Sequence, residues 1–148
     1  MLARPELDVA PEWAFGHYTH EKNPATARAA LTTLEIIEDE GLVANAARVG
    51  RIALERLNEM KSRSPAIGDV RGRGLLIGIE LVRDRASMEP DQDLAEAAMY
   101  AALDRGLSFK TTMGNVLTLT PPLTIAEDEM LRALDIVASA IEDAQSSR

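Results

Sequence analysis

Apolar residues recur at helical spacing in four stretches of the chain and at strand spacing between them. From Pro24 to Glu38 the positions Ala27, Ala30, Leu31, Leu34 and Ile36 or Ile37 follow a 3.6-residue repeat, which predicts a helix. Asn23 before Pro24 is its start signal: the Asn side chain can accept from a first-turn N–H, and proline suits a first helical position that needs no donor. Gly41 is its stop. A second helix follows at once, with Val43, Ala46, Ala47, Val49, Gly50, Ala53, Leu54, Leu57 and Met60 on its apolar side. Arg48, Arg51, Glu55, Arg56 and Glu59 form the wet side. The small residues Ala46, Ala47, Gly50 and Ala53 would let another element approach closely, and Ser64-Pro65 ends the helix.

The period then changes. Ile67, Val70, Leu75, Leu76, Ile77, Ile79, Leu81 and Val82, punctuated by Gly68, Gly72, Gly74 and Gly78, predict two strands around a tight glycine-arginine corner. Gly72 to Gly78 is not a dinucleotide fingerprint, because its last glycine falls one place late and it opens a strand rather than a helix. Residues 84 to 93 read as a polar loop, and Asp91 caps a third helix that carries Leu94, Ala97, Ala98, Ala101, Ala102 and Leu103 and stops near Gly106. Leu107–Phe109 and Val116–Leu119 are short strands either side of Met113-Gly114-Asn115, a turn in which glycine or asparagine takes positive φ. After Pro121-Pro122 a final helix runs from Leu123 to Ala144, with Glu127, Asp128 and Glu129 in its first turn and Met130, Leu134, Val137 and Ile141 as its buried stripe. The expected class is α+β: two N-terminal helices, a small antiparallel-rich sheet, and two helices covering one face. Residues 1–23 read as a lead-in segment, with Pro5, Pro11 and no periodicity, of the kind found at an internal connection rather than a terminus. Residues 24–148 read as one domain.

Composition narrows the function. A chain of 148 residues supports one domain with a real core. Its 24 acidic against 16 basic residues give a net charge of −8, which argues against nucleic acid or an anionic membrane as partner. No cysteine is present, so disulfides and thiolate metal sites are excluded. With no secretory leader pattern and no apolar run of spanning length, a soluble cytoplasmic protein is the expectation.

The candidate chemistry centres on His17-Tyr18-Thr19-His20-Glu21-Lys22-Asn23-Pro24. A polar segment entering a helix N-terminus is either an ordinary capped loop or a place where an anion sits against free N–H groups. His17, His20 and Glu21 do not have the spacing of a helix-borne metal pair, and no fourth ligand is evident. The acidic triplets at 38–40 and 127–129 fit helix ends better than an acid–base pair, and Thr111 and Thr112 fit a strand edge better than an anion site.

Thr19-His20-Glu21-Lys22-Asn23-Pro24, then Glu38-Asp39-Glu40-Gly41-Leu42, then the run from Asp69 to Leu81 with Arg71-Gly72-Arg73-Gly74, then Pro121-Pro122-Leu123-Thr124-Ile125 before an acidic helix start, resemble in order the C-terminal part of a class III aminotransferase, a pyridoxal phosphate (PLP) enzyme of fold type I. The resemblance implies that Thr19 binds the phosphate of the PLP held by the partner subunit of a homodimer. It also implies that the glycines of the Arg71–Gly74 corner serve backbone geometry. Many members place an arginine before the paired prolines to clamp a substrate carboxylate, and here Thr118 stands in that place. The bound substrate is then expected to be a small amine, an amino alcohol, or a phosphorylated or phosphonate amine. Of Lys22, Lys61 and Lys110, none has the glycine-rich strand setting of the Schiff-base lysine, which in the family lies upstream of the threonine loop. The expectation is therefore a C-terminal fragment, lacking its large domain and inactive in amino-group transfer or PLP lyase chemistry by itself. The alternative is a stand-alone interaction or dimerisation module that offers Leu7, Val9 and Trp13 to a partner.

Overall fold

The computed structural model describes residues 23–147. The chain divides into two units, residues 1–39 and 40–148. The described part of the first is helix α1 (Pro24–Asp39). Its start follows the sequence signal: Asn23 Oδ1 accepts from the N–H of Ala25 at 2.9 Å, and Thr26 Oγ1 donates to the Asn23 carbonyl at 2.9 Å. None of the residues of α1 is buried, and Leu31, Leu34 and Ile36 are each about half exposed.

The second unit runs α2 (Leu42–Arg63), β1 (Ile67–Arg73), β2 (Leu76–Asp84), β3 (Glu89–Pro90), α3 (Gln92–Asp104), β4 (Lys110–Thr112), β5 (Val116–Leu119) and α4 (Glu127–Ser146). The sheet has strand order β1-β2-β5-β4, all neighbours antiparallel, with β3 also pairing with β2. Alternation along β2 and β5 sends Ile77, Ile79, Leu81, Leu117 and Leu119 to one face. There they join Val49, Ala53 and Leu57 of α2, Leu94 and Ala98 of α3, and Met130, Leu134, Val137 and Ile141 of α4 in one core. So α2 belongs with α3 and α4 on the packed side. Its expected apolar side is narrower than the sequence suggested, since Val43 is 71% exposed and Ala47 is exposed. Arg85 closes the end of α2 by donating to the carbonyls of Lys61, Ser64 and Ile67.

Three boundaries differ from the sequence expectation, each for a local reason. The strand expected at Leu107–Phe109 lies instead at Lys110–Thr112. The N–H of Leu107 is taken up by the Ala102 carbonyl (3.0 Å) while that of Gly106, at φ 85, donates to Leu103 (2.9 Å), a Schellman closure of α3. The last helix begins at Glu127 rather than Leu123, because Pro121-Pro122 leads into a turn in which the N–H of Ile125 donates to the Pro122 carbonyl. Glu129 then reaches back to accept from the N–H of Ala126 at 3.0 Å. The polar loop after Asp84 contains the two-residue strand β3, in which Pro90 sits at an edge where no donor is required.

Candidate functional site

The face of the sheet turned away from α2, α3 and α4 gathers charged and hydroxyl side chains. The β1–β2 hairpin closes on a two-residue loop, Gly74-Leu75, with Arg73 paired to Leu76 and Gly74 at φ 57, the pattern of a II′ turn. That turn fixes Arg71 opposite Gly78. The β2–β5 register puts Gly78 opposite Thr118, and the β4–β5 register puts Thr118 opposite Lys110. Arg71, Gly78, Thr118 and Lys110 therefore form one row across four strands, on one face. The neighbouring row is Asp69, Glu80, Val116 and Thr112.

Gly78 has no side chain between Arg71 and Thr118, and the floor is left low. A recess of about 410 Å³ opens there, lined by Arg71, Arg73, Leu76, Gly78, Thr112 and Thr118 among others. The hydroxyls of Thr112 and Thr118 are 2.8 Å apart and share a hydrogen bond. Arg71 is held by two carboxylates: Nη1 donates to Glu80 Oε2 at 2.6 Å and to Asp69 Oδ2 at 2.9 Å. Lys61 Nζ lies 3.4 Å from the other Asp69 oxygen. The hydrogen bond from Arg71, aided by Lys61, holds the Asp69 carboxyl below its ordinary value against partial burial. Glu80 first and Asp69 second raise Arg71 in turn. Among the described residues no carboxylate pairs with Arg73 or Lys110, so their charge on this face is not neutralised.

The sequence candidates fall as follows. Thr118 lies half-buried in the recess. Thr19 lies outside the described residues, as do His17, His20, Glu21, Lys22, Leu7, Val9 and Trp13. Thr112 bonds to Thr118, while the acidic helix start serves ion pairs and a cap: Glu127 meets Arg48 at 2.7 Å and Asp128 meets Arg132 at 2.6 Å. In the β4–β5 turn, Met113 and Gly114 take the positive φ, not Asn115. Asn115 is buried, and its side chain donates to the Leu81 carbonyl at 2.9 Å. The sequence reading passed over Arg73 as part of a corner and weighed Lys110 only as a Schiff-base lysine. The signal that brings them together is cross-strand register, which is not local.

Of the described lysines, Lys61 is held by Asp69 at the last turn of α2, and Lys110 is exposed on β4.

A helix-packed antiparallel sheet of this topology is the C-terminal domain of fold type I transaminases, and an aminotransferase from Bacillus anthracis superposes on it with a TM-score of 0.81 and 39% identity, over 88% of this chain and 31% of that one. The Aminotransferase class-III family model matches residues 8–141, and the chain belongs to that family. An (R)-1-hydroxy-2-aminoethylphosphonate ammonia-lyase from Vibrio splendidus (strain 12B01) is 43% identical over 95% of this chain and 29% of its own length. A leucine/methionine racemase from Thermococcus litoralis is 41% identical over 90% of this chain and 30% of its own length. The chain thus spans about 30% of the curated relatives it matches. No helix among the described residues is long and apolar enough to cross a membrane.

Proposed function

We propose that this chain is the small domain of a homodimeric, PLP-dependent enzyme acting on a small amine, and that it does not turn over substrate alone. Its open sheet face is the substrate-side wall, and the loop carrying Thr19 binds the cofactor phosphate of the partner subunit. PLP, when bound, supplies the electron sink that labilises bonds at the amine carbon. The residues of this chain bind and orient around it. The observation that carries the reading is Thr118, at the place the family resemblance gives to a carboxylate-binding arginine, in a recess on the sheet face opposite the one that α2, α3 and α4 pack. A hydroxyl cannot clamp a carboxylate in two-point fashion as an arginine does. That favours an amine, amino alcohol or phosphonate amine over an ordinary α-amino acid, and the ammonia-lyase relative is named for such a phosphonate amine.

The test is made on the native polypeptide from its source cell: its mass, its peptides before Met1, and its visible PLP absorbance. A chain several times longer that carries the cofactor, and whose Thr19→Ala variant binds it roughly tenfold or more weakly for want of one charge-assisted hydrogen bond, supports the reading. A native chain that begins at Met1 and holds no cofactor refutes it. In that case the half-exposed Leu31, Leu34 and Ile36 of α1 favour a non-catalytic interaction module.

A further inference from the structure

We propose that the recess on the open sheet face binds a dianionic tetrahedral oxyanion, the phosphonate or phosphate group of the amine substrate, between Arg73 and Lys110 over the Gly78–Thr118 floor. This rests on the reading of that face as the substrate wall.

Three features of the face select this ligand. The first is charge: Arg71 is committed to Asp69 and Glu80, whereas Arg73 and Lys110 have no carboxylate partner among the described residues. Two uncommitted cations match a dianion, and a carboxylate would leave one of them uncompensated. The second is placement. Arg73, on β1, lines the recess, while Lys110, on β4 opposite Thr118, stands at its edge outside that lining; three strand spacings, about 14 Å, separate them across the sheet, so the two cations flank the Gly78–Thr118 floor from opposite sides. The third is the floor. Gly78 leaves the space that a side chain would fill, since a Cβ there would stand 3.2 Å from Val116 and 3.8 Å from Arg71. Beside it the paired hydroxyls of Thr112 and Thr118 share one internal hydrogen bond, which leaves a second hydroxyl proton to donate to an oxygen above. Three oxygens in a pyramid meet donors on three sides. A planar carboxylate meets two.

The test titrates the ¹⁵N-labelled chain with methylphosphonate, acetate and PLP in parallel, at fixed ionic strength and at pH values above and below the second phosphonate ionisation. The expected result is saturable amide shifts at Gly78, Thr112 and Thr118, with methylphosphonate roughly tenfold tighter than acetate and tighter as the dianion. Arg73→Gln and Lys110→Gln, both exposed and remote from the core, each weaken it roughly fivefold to tenfold. Equal binding of acetate and methylphosphonate, indifference to both substitutions, or PLP about tenfold tighter than methylphosphonate at the same amides overturns the proposal. The reading of the wall fails separately: PLP found in the native polypeptide upholds it even if the titration is negative, and its absence removes it whatever the titration gives.

Discussion

Gly50→Ala sets two effects of opposite sign against each other at one position. Gly50 is buried in the middle of α2, where alanine is favoured over glycine by about 1 kcal/mol from helix propensity alone. A Cβ on Gly50, however, would stand 2.8 Å from Gly74 Cα and closer still to its carbonyl carbon and oxygen. Carbon atoms in ordinary contact are about 3.5–4.0 Å apart, so helix and turn must separate by about 1 Å. Both sides of this contact are backbone, and neither yields by changing a rotamer. The turn is held by the Arg73–Leu76 pairing and the helix by Val49, Ala53 and Leu57, which must move with it. Overpacking costs about 1–3 kcal/mol, occasionally more, and the upper end applies where no side chain can give way. After the propensity gain, a net loss of about 2 kcal/mol remains. Urea unfolding followed by circular dichroism reads this as a lower midpoint with an unchanged slope. Arg51→Ala, on the exposed side of the same helix, is the control and is expected within about 0.5 kcal/mol of wild type. If Gly50→Ala is as stable as the parent or more so, the close approach of α2 to the hairpin is wrong.

Two further substitutions test the frame of the site. Asp91 is buried at the start of α3 and accepts from the N–H of Leu94 at 3.1 Å, so Asp91→Ala is expected to cost about 1–2 kcal/mol in the same unfolding assay, with Asp91→Asn recovering most of it; equal loss in both variants would refute the cap. Asp69 has its carboxyl pKa lowered in the fold by Arg71 and Lys61, so its contribution is present above the unfolded value of about 3.9 and is lost as pH falls through the lower folded value. Asp69→Asn should therefore flatten the acid limb of stability against pH, and an unchanged slope below about pH 4 would show that the pairing carries no weight.

The helices were legible because their ends are chemical. Asn23, Gly41, Ser64-Pro65 and Asp91 each announce a boundary that the structure keeps within a residue or two. Strand β5 was legible because Val116–Leu119 sits between a turn and two prolines. Strand β4 was misplaced because Leu107 and Phe109 look like strand residues but pack on the core from an irregular segment, with the Leu107 N–H closing the helix before it. Strand β3 has two residues, one of them proline, and carries no period to read. The site divides in the same way. Thr118 was singled out from its distance to Pro121-Pro122, a local motif, whereas the row from Arg71 to Lys110 depends on pairing β2 with β5 across α3 and on where each hairpin turns. No window of the sequence contains that information.

The same register ties stability to the proposed substrate wall. In β5, Leu117 and Leu119 must face the core, and with a side-chain period of two this forces Thr118 to the open face. A slip of one residue would bury Thr118 and expose both leucines, so the core burial that holds the sheet together also holds the open face, the proposed substrate wall, in place. Within that constraint the residue at position 118 is free to differ, because it stands half-buried in a recess and is not packed into the core. On the proposed reading of this face, threonine in place of arginine there alters which anion can be held while the core-facing residues of β5 stay the same. Relatives named for ammonia elimination and for racemisation share more than 40% identity with this chain over most of its length. Shared fold with divergent named activities is the expected outcome where function is set by a few site positions and the fold by packing.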